Sequence, residues 1–357
     1  MIDFYDAEFS FPLDSKVYQS IPGHARASRP SKTYRLKISS PRWMTQVEAV
    51  IGPDVFRLRV CPAKVLGTWN SYGSSDLRDL VNLTVPMVLS QSGHFVTEKQ
   101  QADIEAGDYT LKEVHVAESF HLVHHSQGEF IRLIAYACGE EQRTQWARRG
   151  TGIIFKPQNR RVSAYLYSKV EDFMARGYGA YADKLEAARK DRRPWILISR
   201  NAHLLAALGP RLEFRFGDKF FRGKKLAKGS AWNAETARNL YESELLALEL
   251  PGAIAPMFKR EEAEHKLSPQ QFNALKLWHH GEHWQSFGSA STAQRHRAAI
   301  REALGIDIAQ PSAKLLGRAS PLDVQAVINL ENVVGTEFDM DDPDNQELMR
   351  RVLHDRK

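Results

Sequence analysis

No stretch of this 357-residue chain reaches about 18 consecutive apolar residues, so a transmembrane helix is not expected. Cysteine is scarce. Cys61 and Cys138 are the only two, too few for a disulfide framework and without the C-x-x-C pairs of a zinc site. Positive charge is missing where a secretory leader needs it: the opening "MIDFYDAEFSF" carries Asp3, Asp6 and Glu8 instead, which points to a cytoplasmic protein. There is no G-x-x-x-x-G-K-[ST] loop, which excludes the usual ATP-driven motor, and no G-x-S-x-G elbow of a serine hydrolase. Internal repeats and low-complexity tracts are also absent.

What remains is an ordinary globular composition, 43% hydrophobic and 26% charged, long enough for two domains. Lys and Arg number 49 against 43 acids, a net charge of +6 that leans mildly toward polyanionic partners. "TYRLKISS" and "DVFRLRV" alternate apolar and polar residues as strands do. "YTLKEVHVAESFHLVHH" is the longest alternating run, "GTGIIFKPQ" and "RRVSAYLYSK" read as a hairpin, and "GPRLEFRFGDKF" as a further strand. "EFIRLIAYACGEEQ" and the run after "YSK" have helical spacing. From Trp232 onward helices dominate, among them "SPQQFNALKLWHHG", with Ser268 as N-cap and Pro269 at the first helical position. The expected fold is α+β: an antiparallel-sheet domain over 1–230, then a smaller, mostly helical domain over 231–357 with a charged tail.

Four clusters are candidates for chemistry. Read as a strand, "AYLYSK" puts Tyr165, Tyr167 and Lys169 on one face; they are either a half-buried strand with a solvated amine or a phenol nucleophile beside a cation. In "KEVHVAESFH", Glu113, His115, Ser119 and His121 share a face, either as solvated alternation or as a divalent cation site in which carboxylate oxygen suits Mg²⁺ or Mn²⁺. His124 and His125 add histidine density nearby. "RFGDKFFRGKKLAK" interleaves Phe216, Phe220 and Phe221 with Arg215, Lys219, Arg222, Lys224, Lys225 and Lys228. That composition suits single-stranded DNA, with bases on rings and cations on phosphates; the bland alternative is a basic surface over core phenylalanines. "WHHGEHW", with His279, His280 and His283, reads better as a helix C-terminus where histidine offsets the macrodipole. Tyrosine, lysine and metal belong together in phosphoryl transfer: a phenol with a pKa of about 10 needs a cation nearby to ionise.

Several stretches resemble one family. "CPAKVLGTWNSYGSSDL" is similar to the "SPAKVLxGHNVFGTxDL" segment of the gene II replication initiators of filamentous bacteriophages, "RLEFR" to their "RFEAR" strand, and "AYLYSKVE" to their tyrosine-bearing "AYLKHVE". The C-terminal "LWHHGEHW … TAQRHR … GIDI" resembles their W-x-x-G, T-x-x-R-H-R and G-x-D-I pattern. The resemblance implies a rolling-circle initiator, related in mechanism to the HUH endonucleases. Such an enzyme nicks one strand of an origin through a 5′-phosphotyrosine and later recloses the displaced circle. Tyr167 keeps the family's Tyr-x-Lys spacing and ranks first as nucleophile; Tyr165 matches the preceding A-Y-L and ranks second. Lys169 assists the phenolate. Glu113, His115, Glu213 and His121 are the expected metal ligands, for Mg²⁺ or Mn²⁺. His115 stands where the coliphage relative has an acid, and Trp69 replaces a family histidine while Asn70 and Gly73 remain. Expected partners are replicative-form and single-stranded phage DNA, a host helicase and a polymerase, in the host cytoplasm and with no membrane. The rival reading is a non-catalytic origin binder or repressor.

Overall fold

The computed structural model of the chain describes residues 1–11, 34–39, 45–52, 55–66, 70, 73–122, 127–138, 145–146, 152–155, 161–176, 182–183, 186, 190, 209–250, 253–254, 265–279, 282–304, 307–309 and 322–335. Strands β1 (Ile2–Phe9), β2 (Tyr34–Ser39), β3 (Gln46–Ile51) and β4 (Phe56–Val60) come first. Helices α1 (Pro62–Val65), α2 (Leu77–Gln91) and α3 (Glu98–Glu105) lead to the long strand β5 (Thr110–Ser119). After α4 (Gln127–Cys138), strands β6 (Gln145–Trp146), β7 (Gly152–Phe155) and β8 (Val162–Ser168) run into α5 (Lys169–Arg176), and β9 (Pro210–Phe216) follows. Among the described residues these strands make one antiparallel sheet, in the order β2-β3-β4-β1-β5-β9-β8-β7-β6. The α+β expectation holds, including the β7–β8 hairpin, where Ile154 faces Tyr165 and Gly152 faces Tyr167.

Alternation decides which side of the sheet is dry. Val114 and Val116 of β5, Leu212, Phe214 and Phe216 of β9, and Ala164 and Leu166 of β8 point to one face and are buried. That face is covered by helices. α2 starts on an Asp76 cap that accepts from the Arg78 and Asp79 amides, and it buries Leu80, Val81, Val85 and Val88. Helix α7 (Ala234–Ala247), which comes after the short α6 (Asp218–Phe221), sets Tyr241 edge-on to Phe214 at 5.0 Å. Trp232, Ala237 and Tyr241 all belong to this core, so its apolar set continues past residue 230. Each buried aliphatic or phenylalanine side chain here is worth about 1.5–3 kcal/mol of transfer free energy.

A second, smaller core lies further along the chain. Strand β10 (Ala253–Ile254), helices α8 (Pro269–His279) and α9 (Ala290–Leu304), strand β11 (Leu322–Asp323) and α10 (Val324–Val327) complete the described strands and α-helices, with Val324 of α10 packing into the first core. Leu267, Ala274, Leu275, Trp278, Ile300 and Ile308 pack together there. Ser268 caps α8 as expected: its hydroxyl accepts from the Gln271 amide while the Gln271 side chain accepts from the Ser268 amide. The T-x-x-R-H-R and G-x-D-I motifs meet here, because Arg297 forks onto Asp307 with two 2.6 Å hydrogen bonds. The same guanidinium lies over Trp284 at 5.4 Å. These motif residues therefore clamp α9 to the segment that follows it.

Candidate active site

The opposite face of β5, β9 and β8 is polar. Paired rows cross it: His115 opposite Arg215 opposite Ser163, then Ala117–Glu213–Tyr165, then Ser119–Arg211–Tyr167. Strand β1 supplies a residue that the sequence reading passed over. Ile2 pairs with Val116 and Phe4 with His115, so Asp3 is an extra residue, a bulge that breaks strict alternation and re-aims its side chain. One ligand atom each of Asp3, His115 and Glu213 lies within 4.8 Å of the others. Two carboxylates and an imidazole at that separation could hold a metal ion.

His115 is held on both sides. Its Nδ1–H donates to Glu213 Oε1 at 2.9 Å and its Nε2–H to Glu113 Oε1 at 2.8 Å. Burial works against the imidazolium, but Glu213 and Glu113 outweigh it and lift the pKa to about 9. Glu213 is itself buried, yet His115 and Arg215 hold its carboxyl well below the usual range. Ligation would displace one of the two ring protons. Glu113 thus stands behind His115 rather than in the three-residue cluster, with Arg59 at 3.6 Å on its other oxygen.

Asp3 has its own supports. The Arg211 Nη2–H donates to Asp3 Oδ1 at 3.1 Å, and the Asn70 amide donates to the same oxygen. Asn70 sits at φ 45°, in the left-handed region where asparagine is tolerated better than most residues. The Lys169 ammonium in turn donates to Asn70 Oδ1. Lys169 was expected on the strand face with the tyrosines; instead β8 ends at Ser168 and Lys169 opens α5. Its ammonium is fully buried, 3.8 Å from Asp172 and 5.8 Å from the centre of the Tyr167 ring. Burial, reinforced by Arg211 and Lys64, pushes its pKa well below the ordinary lysine value.

The two tyrosines stack on each other at 4.8 Å and 22°. Both line a cavity of about 400 Å³ shared with Asp3, His115 and Glu213. Tyr167 is only 4% exposed, and burial drives its phenol well above the usual pKa. Tyr165 is half-buried and lies directly across the ladder from Glu213. Gly152 makes this packing feasible, since a Cβ there would come within 2.7 Å of Tyr167 Cβ.

Other expectations are redirected. His121 is not in the cluster: β5 ends at Ser119, and His121 is exposed with its backbone engaged by Asn332. His124, His125 and His280 lie outside the described residues. In the basic segment the aromatic half of the reading fails, because Phe216, Phe220 and Phe221 are core residues and offer no face to a base. The cations do reach solvent: Lys219, Arg222, Lys224, Lys225 and Lys228 are exposed. Arg222 pairs with Asp218, Lys228 with Asp108, and Lys224 lies over the Phe220 ring at 3.6 Å. Arg215 belongs to the site instead, its Nε–H donating to Glu213 at 2.7 Å. The alternation of Tyr5, Ala7 and Phe9 marks "IDFYDAEF" as a strand, but the bulge at Asp3 hides that residue's phase. No helix among the described residues is long and apolar enough to cross a membrane.

No curated protein matches the chain. Residues 8–235, well over half of it, match the family model for the N-terminal part of the phage replication-associated protein encoded by gene II, and the chain therefore belongs to this family of phage replication-associated proteins.

Proposed function

We propose that the protein is a rolling-circle initiator that nicks one strand of phage DNA at an origin, stays attached through a 5′-phosphotyrosine, and later rejoins the displaced strand. The observation that carries this reading is the shared cavity, whose wall includes both tyrosines and the Asp3–His115–Glu213 cluster. A divalent cation bound by those three side chains would supply Lewis-acid polarisation of the scissile phosphate. The chain's own residues do the rest. Glu113 and Glu213 fix the His115 ring, Arg211 and Asn70 aim Asp3, and Lys169 acts as a positioning residue through Asn70. A phenol gives up its proton to solvent as its oxygen attacks phosphorus, the bond from phosphorus to the 3′ oxygen breaks, and that oxygen takes a proton from solvent to leave as a 3′-hydroxyl. The phosphodiester's energy stays in the tyrosyl linkage, so rejoining needs no ATP.

Tyr165 moves ahead of Tyr167 as the nucleophile, because its ring is more accessible and it pairs across from Glu213, whereas burial opposes ionisation of Tyr167. The partners that follow from this role are replicative-form and single-stranded DNA, with a host helicase and polymerase, in the cytoplasm. The test is a supercoiled plasmid carrying the phage's own origin, incubated with Mn²⁺, followed by mass spectrometry of the DNA-linked peptide. Tyr165→Phe is expected to abolish nicking while origin binding persists. Attachment through Tyr167 would reverse the ranking. Attachment through another residue, such as Tyr178 or Tyr181 beyond α5, would leave both strand tyrosines as cavity wall. A mobility shift without any nick would favour the origin-binder reading.

A further inference from the structure

The cavity is larger than a metal site needs. A divalent ion held by three side chains has room for about three waters, which at about 30 Å³ each fill well under half of its roughly 400 Å³. Its volume lies in the range of about 300–1,000 Å³ in which proteins bury small organic ligands. The rest of the space adjoins a layered group of side chains: Tyr167 stacks on Tyr165, and the Arg215 guanidinium lies over the Tyr165 ring at 5.1 Å. The Arg215 side chain is 39% exposed, so the stack ends on an accessible guanidinium.

That guanidinium is badly placed to follow a DNA backbone. Its Nε–H is committed to Glu213 at 2.7 Å, so an anion arriving there meets a carboxylate beside the cation. The same bond fixes the plane of the group, and the tyrosine beneath fills one side of it. A flat, delocalised, weakly hydrated surface held at a fixed tilt is what an unpaired nucleobase stacks on; arginine planes serve this purpose beside aromatic rings in single-strand recognition. The other aromatic ring on the cavity wall, Phe4, is covered by His115 at 4.6 Å and by Arg59 at 5.7 Å.

We infer that the cavity is a one-nucleotide subsite, in which the base next to the scissile phosphate leaves its neighbours and continues the Tyr167–Tyr165–Arg215 stack. The inference rests on the nicking reading of the same site. Arg215 is then a base platform rather than a phosphate contact. Because the reacting phosphate must reach Asp3, His115 and Glu213, unstacking one adjacent base also draws that phosphate out of a regular strand.

The experiment uses the full chain, Mg²⁺, and the trinucleotide d(T–2-aminopurine–T), whose central base loses fluorescence when it stacks. Wild-type protein is expected to quench it, and Arg215→Lys, which keeps the charge and removes the plane, to weaken binding roughly fivefold or more. Tyr165→Leu is expected to act the same way, while the quench survives Tyr165→Phe, which keeps the ring. Mn²⁺ affinity is measured on every variant without DNA, and the trinucleotide titration is run at a metal concentration that loads each variant to the same extent. Quenching indifferent to Arg215→Lys, or a trinucleotide abasic at its centre that binds as tightly as the intact one, would overturn the inference and leave nicking standing. Loss of Mn²⁺ binding in Arg215→Lys would also overturn it, since the residue would then be acting through Glu213. A trinucleotide that never binds a protein still loading Mn²⁺ would sink the subsite and count against the nicking reading as well.

Discussion

Strands β5, β9 and β8 carry two faces that obey different physics. On one, Val114, Val116, Leu212, Phe214 and Phe216 are dry and close-packed beneath helices. On the other, the same strands present His115, Glu213, Arg215, Arg211 and the two tyrosines. Stability on the first face comes from area removed from water. Order on the second comes from charge balance: Asp3, Glu113 and Glu213 are met by Arg211, Arg215, Arg59 and the His115 imidazolium. A buried charge network of this kind contributes little net stability, because desolvation offsets its attraction, but it fixes geometry. The chain therefore keeps its fold on one side of the sheet and a poised cluster on the other. Mutations should separate the two.

The largest effect is expected on the dry face. Phe214→Ala removes a fully packed ring and its edge contact with Tyr241, at a cost of about 3–5 kcal/mol in urea unfolding. A cost below about 1 kcal/mol would mean that α7 does not pack there. Next comes the wet face. Glu213→Gln keeps the shape and an acceptor for Arg215 while removing a ligand charge. Nicking should fall by roughly 10²–10³-fold, the scale for losing one group that stabilises transition-state charge. The unfolding midpoint should move less than for Phe214→Ala. If Glu213→Gln unfolds the protein as readily as Phe214→Ala does, the two faces are not separable and the contrast is wrong.

Strand alternation made much of this readable in advance, and its failures are local. "RLEFR" and "KEVHVA" place Glu213 and His115 on one face because both strands keep strict period two through those residues. Asp3 escaped because a bulge shifts the phase of β1 at that residue, and a bulge leaves no mark in a single sequence. Counting two beyond Tyr167 puts Lys169 on the strand face, a rule that holds only while the strand lasts. The chain turns helical at Lys169, and the ammonium ends under Asn70 instead of beside a phenol. His121 failed for the same reason at the end of β5. In "RFGDKFFRGKKLAK" composition could not say which way the phenylalanines point; tertiary packing around Trp232 decides it. Asn70 was noticed as a retained family position, but its link to Asp3 is a long-range contact that no local pattern encodes.

The metal should sharpen the comparison from the wet side. If the two carboxylates and the imidazole gathered within 4.8 Å hold a cation, they can do so only in the folded state, and Mn²⁺ at 100 times its dissociation constant is then expected to add about 2.7 kcal/mol of stability. Asp3→Asn should remove that increment, and Phe214→Ala should retain it. Thermal unfolding with and without Mn²⁺ reads both, and equal stabilisation of wild type and Asp3→Asn would exclude Asp3 as a ligand.

The smallest effect belongs to neither face but to the basic segment that follows β9. With its phenylalanines buried, only the exposed cations remain to meet DNA, and among them Lys225 has no acid within ion-pairing distance among the described residues. If Lys224 and Lys225 each neutralise one phosphate, replacing both with alanine lowers the salt slope of binding by about 0.9 per contact on duplex DNA. The loss should be the same for origin and unrelated sequence, because phosphates carry no sequence information. Filter binding across a salt series gives the slope directly. A slope that stays at the wild-type value would show that these lysines do not touch the backbone, leaving DNA recognition to the cavity face and to parts of the chain beyond this segment.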